Sequence, residues 1–302
     1  MAVSFIICTY NRSNYLNDTV QSLRDCIFNE SKIEFLIVDN NSTDDTAQVV
    51  KYHQENNKNE VLTISYIKEE QQGLSFARNK GIVESKFGQI VFVDDDIRAS
   101  EEFIEGWNNF FKENPEVNAA GSRIHVQFDG HKPEWVSYFL MSLFGYHEFG
   151  KKPRRYPKKS YPFGGNMGFR KFIFESVGYF NTNLGRKGNN LAANEEKELF
   201  RRIRNQNHQV FYNPNALLYH RVNEKRATSD FIKKQAMGLG KSYKVEIIDG
   251  SISQVKVYMQ QFIKLVITLV LAIFYVISFQ PSKANMLIKF RIWIFKGLKL
   301  KQ

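Results

Sequence analysis

The chain has 302 residues, 43% hydrophobic and 24% charged, with a formal net charge of +11. This length and composition allow a substantial core and exclude a disordered polymer. Two cysteines, Cys8 and Cys26, exclude a disulfide framework and point to a reduced setting. The positive charge gathers in residues 151–171 and again after residue 283, where Lys alternates with Trp, Phe, Leu and Ile. That mixture suits an anionic membrane surface better than a duplex, so no nucleic-acid partner is expected.

Residues 3–8 form an apolar run that predicts a buried strand ending at Thr9-Tyr10-Asn11-Arg12. No basic segment leads a long apolar one there, so no cleaved signal peptide is expected. Leu16, Val20, Leu23 and Ile27 then share one helical face, with Ser13 as the expected N-cap. Phe35-Leu36-Ile37-Val38 predicts a second strand ending in Asp39-Asn40-Asn41, and Ser42 with Asp45 resembles a capping box. A third strand is expected over residues 61–67, followed by Gln72-Gly73-Leu74 and a helix from Ser75 through Ile82. The fourth, residues 90–93, ends abruptly in Asp94-Asp95-Asp96. Ser100, Glu101 and Glu102 then open a helix with Phe103, Trp107, Phe110 and Phe111 on one face. Strand and helix alternate, which predicts an α/β fold with a mostly parallel central sheet flanked by helices.

In such a sheet ligands bind beyond the carboxyl ends of the strands. Three adjacent carboxylates repel one another, and a cation or water is needed to screen them. On an extended backbone Asp94 and Asp96 point one way and Asp95 the other, so two oxygen ligands suit Mg²⁺ or Mn²⁺ bridging a diphosphate. A solvated acidic turn is the other reading. A dinucleotide-dependent dehydrogenase needs Gly-x-Gly-x-x-Gly after the first strand, and the turn at Thr9-Tyr10-Asn11-Arg12-Ser13 has no glycine.

In the second half, residues 119–126 predict a further strand, and residues 131–161 lose periodicity and become aromatic and basic, as functional loops do. Gly164-Gly165, before Asn166, would let backbone approach a ligand or serve packing alone. Leu199 and Ile203 give a helix its buried side and leave Glu195 and Glu196 at its N-terminus, where the dipole favours negative charge. A carboxylate there can act as general base toward a hydroxyl, or simply stabilise the helix. Residues 209–212 and 216–222 predict short strands, with His220 either a core residue or a ligand.

Residues 262–279 are almost wholly apolar apart from Lys264, and at about 1.5 Å per residue would make a helix of roughly 27 Å, just short of a hydrocarbon core. After Pro281, Met286, Leu287, Phe290, Trp293, Ile294 and Leu298 form an apolar face with Lys289, Arg291, Lys296 and Lys299 outside it. A membrane hairpin, an in-plane anchor and a helix packed on the catalytic domain are all consistent with this pattern.

Four segments, Ile6-Ile7-Cys8-Thr9-Tyr10-Asn11-Arg12, Ile37-Val38-Asp39-Asn40-Asn41-Ser42-Thr43-Asp44, Gly73-Leu74-Ser75-Phe76-Ala77-Arg78-Asn79-Lys80-Gly81 and Val93-Asp94-Asp95-Asp96, stand in one order over the first third of the chain. In them the chain resembles the family 2 inverting nucleotide-sugar glycosyltransferases, which have the GT-A fold. The resemblance implies that Thr9, Tyr10 and Arg12 wall the base pocket and that Asp39, with Asn41, reads base or ribose, although Asp39 also suits a strand-end cap. It implies Arg78 near ribose or diphosphate, although a surface arginine fits as well. Asp94 and Asp95 would lie by the donor, and Asp96, with Asp94 and His220, would hold a divalent cation, Mn²⁺ or Mg²⁺. Gly165 and Asn166 would underlie donor sugar and acceptor. Arg226 could neutralise diphosphate. The family motif is most often Glu-Asp with Asp as base, which makes Glu196 the base here and Glu195 its partner; Glu in place of Asp is a departure.

The resulting expectation is a metal-dependent inverting enzyme. It would transfer a sugar from a nucleoside-diphosphate sugar to a saccharide or glycolipid hydroxyl, in polysaccharide or glycoconjugate synthesis at the cytoplasmic face of the membrane. A membrane-attached nucleotide-sugar binder with impaired catalysis is the alternative. A Gln-x-x-Arg-Trp motif, carried by the family's processive members, is not found, which favours single transfer. Residues 1–115 would be the donor half, 116–250 the acceptor half, and 251–302 a membrane-associating apolar and amphipathic helical tail.

Overall fold

A computed structural model describes residues 2–27, 31–157, 160–186, 194–248 and 253–299. Four strands, β1 (Ala2–Thr9), β2 (Lys32–Asp39), β3 (Leu62–Lys68) and β4 (Gln89–Asp94), alternate with helices α1 (Ser13–Arg24), α2 (Thr46–Glu55) and α3 (Leu74–Glu84). After β4 come β5 (Ile97–Ala99), α4 (Phe103–Glu113), β6 (Ala119–Phe128), a 3-10 segment (Tyr138–Phe144), β7 (Arg154–Arg155), β8 (Asn166–Arg170) and α5 (Ile173–Val177). The remainder is α6 (Glu195–Asn205), β9 (Val210–Val222), α7 (Ser229–Ile248), α8 (Gln254–Ile277) and α9 (Pro281–Lys299).

The strands lie in the order β3-β2-β1-β4-β8-β6-β9-β5, with β7 on β9. The expected parallel pairing holds over β3-β2-β1-β4. Beyond β4 the pairings β4–β8, β6–β8, β5–β9 and β7–β9 are antiparallel, so the sheet is parallel in its first half and mixed overall. Alternation along β1 sorts the core. Val3, Phe5 and Ile7 pack with Leu16, Val20 and Leu23 of α1 and Phe103, Trp107 and Phe111 of α4. Ile6 packs on the other face with Ala77 and Ile82 of α3 and Leu199, Phe200 and Ile203 of α6. Both faces are therefore covered, as continuous apolar strands require.

Local differences have simple causes. Ser13 is the first residue of α1 rather than its N-cap, and its N–H is met by Asp44 Oδ2 at 2.9 Å. The Ser42–Asp45 box does not form: α2 begins at Thr46, whose N–H and hydroxyl both reach Asp44 Oδ1. The two short strands expected near His220 are one, β9. Helix α7 had no sequence-based counterpart, and α8 starts well before residue 262.

The chain forms two compact units, Met1–His125 with His147–His220, and Val126–Tyr146 with Arg221–Gln302. This division departs from boundaries at 115 and 250. Val136, Leu140 and Phe144 share an apolar cluster with Val222, Ile232, Met286, Leu287 and Phe290, which draws the 3-10 segment and α7 into the C-terminal unit.

Candidate active site

The registers Thr9↔Asp39 and Cys8↔Asp94 bring the carboxyl ends of β1, β2 and β4 together. The Thr9 hydroxyl donates to Asp95 Oδ2 at 2.7 Å, and Arg12 Nη1 donates to Asp95 Oδ1 and Asp96 Oδ2, both at 2.8 Å. The alternation expected across the acidic cluster therefore breaks. Strand β4 ends at Asp94, and the following turn lets Asp95 and Asp96 share one guanidinium. Thr19 holds that turn from inside α1: its hydroxyl donates to the carbonyls of Asp95 at 2.8 Å and Ile97 at 3.0 Å. Burial raises the Asp95 pKa, Arg12 lowers it and Asp96 raises it, to a net value of about 6.

His220, on β9, lies with Nε2 3.4 Å from Asp96 Oδ1. Among the described residues no group of three or more His, Cys, Asp or Glu forms a ready-made metal cage. A cation that takes one or two protein ligands and completes its shell with phosphate oxygens and water fits the pair Asp96 and His220.

A second cluster centres on Arg78 of α3, which is 2% exposed. Its Nη1 lies 2.9 Å from Glu195 Oε1 and 3.2 Å from Glu196 Oε1, and Phe180 and Phe92 flank the guanidinium. Arg78 is thus a buried counter-ion to both glutamates, not a surface arginine. Glu195 is buried with Oε2 unpaired, whereas the Glu196 side chain keeps 20% of its surface exposed. Burial and then the Glu196 charge raise the Glu195 pKa to about 7, against Arg78. Glu196 is held below the usual range: burial pushes it up, but Arg78 and Glu195 more than offset this.

Gly164 and Gly165 join the two clusters. A Cβ on Gly164 would collide with Glu196 Oε1 and Arg78 Nη2, and one on Gly165 would collide with Asp94 Oδ2. Adjacent glycines thus lie against the acidic turn on one side and the glutamate pair on the other. Cys8 sits within the field of both, and burial first, with Asp94 and Asp95 and against Arg78, pushes its thiol up to about 12. It is no nucleophile at neutral pH.

Other expected site residues are placed differently. Asn166 has no exposed surface: its Oδ1 accepts from Trp107 Nε1 at 3.0 Å, and its Nδ2 donates to the carbonyls of Arg123 and Ala216 at 2.9 Å. Its amide is used in the core, which corrects the expectation that it underlies substrate. Asp39 is also buried, with Oδ1 accepting from the Ser42 N–H at 2.8 Å and Oδ2 from Tyr66 Oη at 2.7 Å, so it does cap the strand end. Tyr10 is 40% exposed, and Asn41, at φ 67°, shapes the loop after β2. Arg226 belongs to the other compact unit. Thr19 and Trp107 were not identified as supports. Thr19 does carry a signal, since it lies between Leu16 and Val20 on the apolar face of α1.

The model for glycosyl transferase family 2 matches residues 4–178, more than half of the chain. This chain belongs to glycosyl transferase family 2. A glucosyl-dolichyl phosphate glucuronosyltransferase of Haloferax volcanii is 26% identical over 248 residues, 81% of this chain and 77% of that protein. Among solved structures, the Pyrobaculum calidifontis mannosyltransferase PcManGT, in complex with GDP-Man and Mn2+, aligns with TM-score 0.58 at 15% identity, over 98% of this chain and 72% of that one. Staphylococcus aureus TarS 1-349, in complex with UDP-GlcNAc, aligns with TM-score 0.54 at 19% identity, over 85% of this chain and 69% of that one. Against the longer TarS chain the coverage is 41% of its length. These likenesses show the GT-A fold, and the family shows a glycosyltransferase.

Proposed function

We propose that this family 2 glycosyltransferase moves a single sugar from a nucleoside-diphosphate sugar to a saccharide or glycolipid hydroxyl, with inversion, in polysaccharide or glycoconjugate synthesis. The observation that carries the reading is the Gly164–Gly165 junction, which sets Glu196 and Asp94 against consecutive residues that have no side chains. Donor and acceptor chemistry need those two groups within one small molecule's reach. The solved neighbours that hold GDP-Man with Mn2+ and UDP-GlcNAc support a nucleotide-sugar donor.

Glu196, ionised beside Arg78 and partly exposed, accepts the proton of the attacking hydroxyl. Glu195 and Arg78 orient it. Thr9 and Arg12 hold the Asp95–Asp96 turn, with Tyr10, Asp39 and Asn41 near the nucleoside. Asp96 and His220 are the residues that would hold Mn²⁺ or Mg²⁺, which stabilises a departing nucleoside diphosphate when bound.

We also propose attachment to the cytoplasmic face of a membrane. Helix α8 has 24 residues, about 36 Å at 1.5 Å each, long enough for a hydrocarbon core, although residues 262–279 alone fall short. Only 17% of its most apolar window is buried, and Phe262, Ile263, Ile267, Val270, Phe274 and Ile277 are exposed. Both features support the membrane reading.

The test is transfer from a panel of UDP- and GDP-sugars with Mn²⁺, comparing wild type with Glu196→Gln. Turnover should fall at least about a hundredfold while donor-induced thermal stabilisation persists. Undiminished turnover in the variant would remove the assigned base. Donor binding by the wild type without transfer or slow donor hydrolysis would favour the impaired-binder alternative.

A further inference from the structure

Helix α8 is turned inside out relative to the amphipathic helix of a soluble protein. Its large apolar side chains face outward, while Gln261 and Thr268 are buried and Lys264 is half-buried on the inner side. Those three lie at i, i+3 and i+7, one face of the helix. Polar side chains from α7 and α9 meet them. Thr268 Oγ1 donates to the Lys264 carbonyl at 2.7 Å and accepts from Arg291 Nε at 3.0 Å. Lys264 Nζ lies 3.5 Å from Tyr243 Oη and 5.7 Å from the centre of that ring.

Among the described residues the cluster has no anion. Residues 253–299 contain seven Lys or Arg and no Asp or Glu. Among the described residues neither Lys264 nor Arg291 has an ion-pair partner, and the terminal guanidinium nitrogens of Arg291 donate to no acidic group there. One turn from Lys264, Gln261 is 1% exposed with neither amide atom hydrogen-bonded. Buried polar groups and cations of this kind are costly unless something satisfies them. A guanidinium with free N–H groups, an ammonium, a phenol and an amide match the oxygens of a phosphate.

We propose that Lys264 and Arg291, with Tyr243, Thr268 and Gln261, bind the phosphate headgroup of a lipid. This rests on the membrane reading above. Because Lys264 lies near the middle of α8, the site requires the helix to lie in the plane of the interface rather than across the core, its apolar outer face among acyl chains and its inner face at headgroup depth.

The experiment uses the full chain and phosphatidylcholine vesicles, alone or with 5% of a long-chain alkyl phosphate, read by co-sedimentation. Added phosphate lipid should tighten wild-type binding at least about tenfold, and Lys264→Gln/Arg291→Gln should lose that gain while still binding neutral vesicles. The control Lys289→Gln/Lys296→Gln removes the same charge from exposed positions of α9 and should retain the gain. Equal loss in the control would show diffuse surface attraction and overturn the site. A gain unchanged in the Lys264/Arg291 variant would overturn it too. Abolition of the gain by millimolar inorganic phosphate would assign the cluster to free phosphate rather than lipid. Failure of the wild type to bind any vesicle would instead overturn the membrane reading on which the site rests.

Discussion

Replacing Arg78 by methionine removes the counter-ion of two glutamates while keeping most of the side chain's apolar volume. Arg78 and Glu195 are each 3% exposed at the side chain and Glu196 is 20% exposed, so water offers little screening. Breaking a buried ion pair from one side costs about 3–5 kcal/mol, and that range should apply where both carboxylates are ionised. The cost depends on pH in a determined direction. Glu195 titrates at about 7 in the folded protein even beside Arg78, above an ordinary glutamate, so its contribution to stability is present at low pH and lost as pH rises through 7. Without Arg78 both folded pKa values rise, and protonation near pH 5.5 neutralises part of the unpaired charge. Urea unfolding should therefore show about 3–5 kcal/mol of destabilisation at pH 8 and clearly less at pH 5.5. The acid limb of kcat/KM should move to higher pH, because Glu196 then needs more alkaline conditions to ionise. A loss below about 1 kcal/mol at pH 8, or one that grows on acidification, would refute the buried-triad reasoning.

Gly164→Ala drives a methyl group into Glu196 Oε1 and Arg78 Nη2, and should cost about 1–3 kcal/mol with a large fall in kcat, measured by unfolding and steady-state kinetics. Asp96→Ala and His220→Ala should each weaken Mn²⁺-dependent thermal stabilisation, the first more, because it removes the charged ligand; equal stabilisation in both and in wild type would remove them as ligands. Thr19→Val keeps shape but removes the 3.1 Å partner of the Ile97 N–H and the hydroxyl bonds to the Asp95 and Ile97 carbonyls, and should cost about 1–3 kcal/mol by urea unfolding.

The strands, their order of appearance and the acidic group at the end of β4 could be read from sequence because they are local properties. An apolar run of strand length and the carboxylates that end it lie within ten residues of one another, as at Ile90 to Asp96. The placement of Glu195 and Glu196 at a helix N-terminus is equally local. Which carboxylate meets which cation is not. Arg78 and Glu195 are 117 positions apart, and Arg12 and Asp95 are 83 apart; sheet order and backbone course decide both pairings. Strand alternation misplaced Asp95 because it applies only while the backbone stays extended, and the turn tied by Thr19 ends that extension. Asn166 was misread for a similar reason: its polar type says nothing of direction, and β8 sends its amide to Trp107 and the core. The chain's own order thus determined a family 2 sheet edged with acid. Tertiary packing alone decided which of those acids are paired, buried or left partly exposed, since charge state depends on neighbours that only the folded chain assembles.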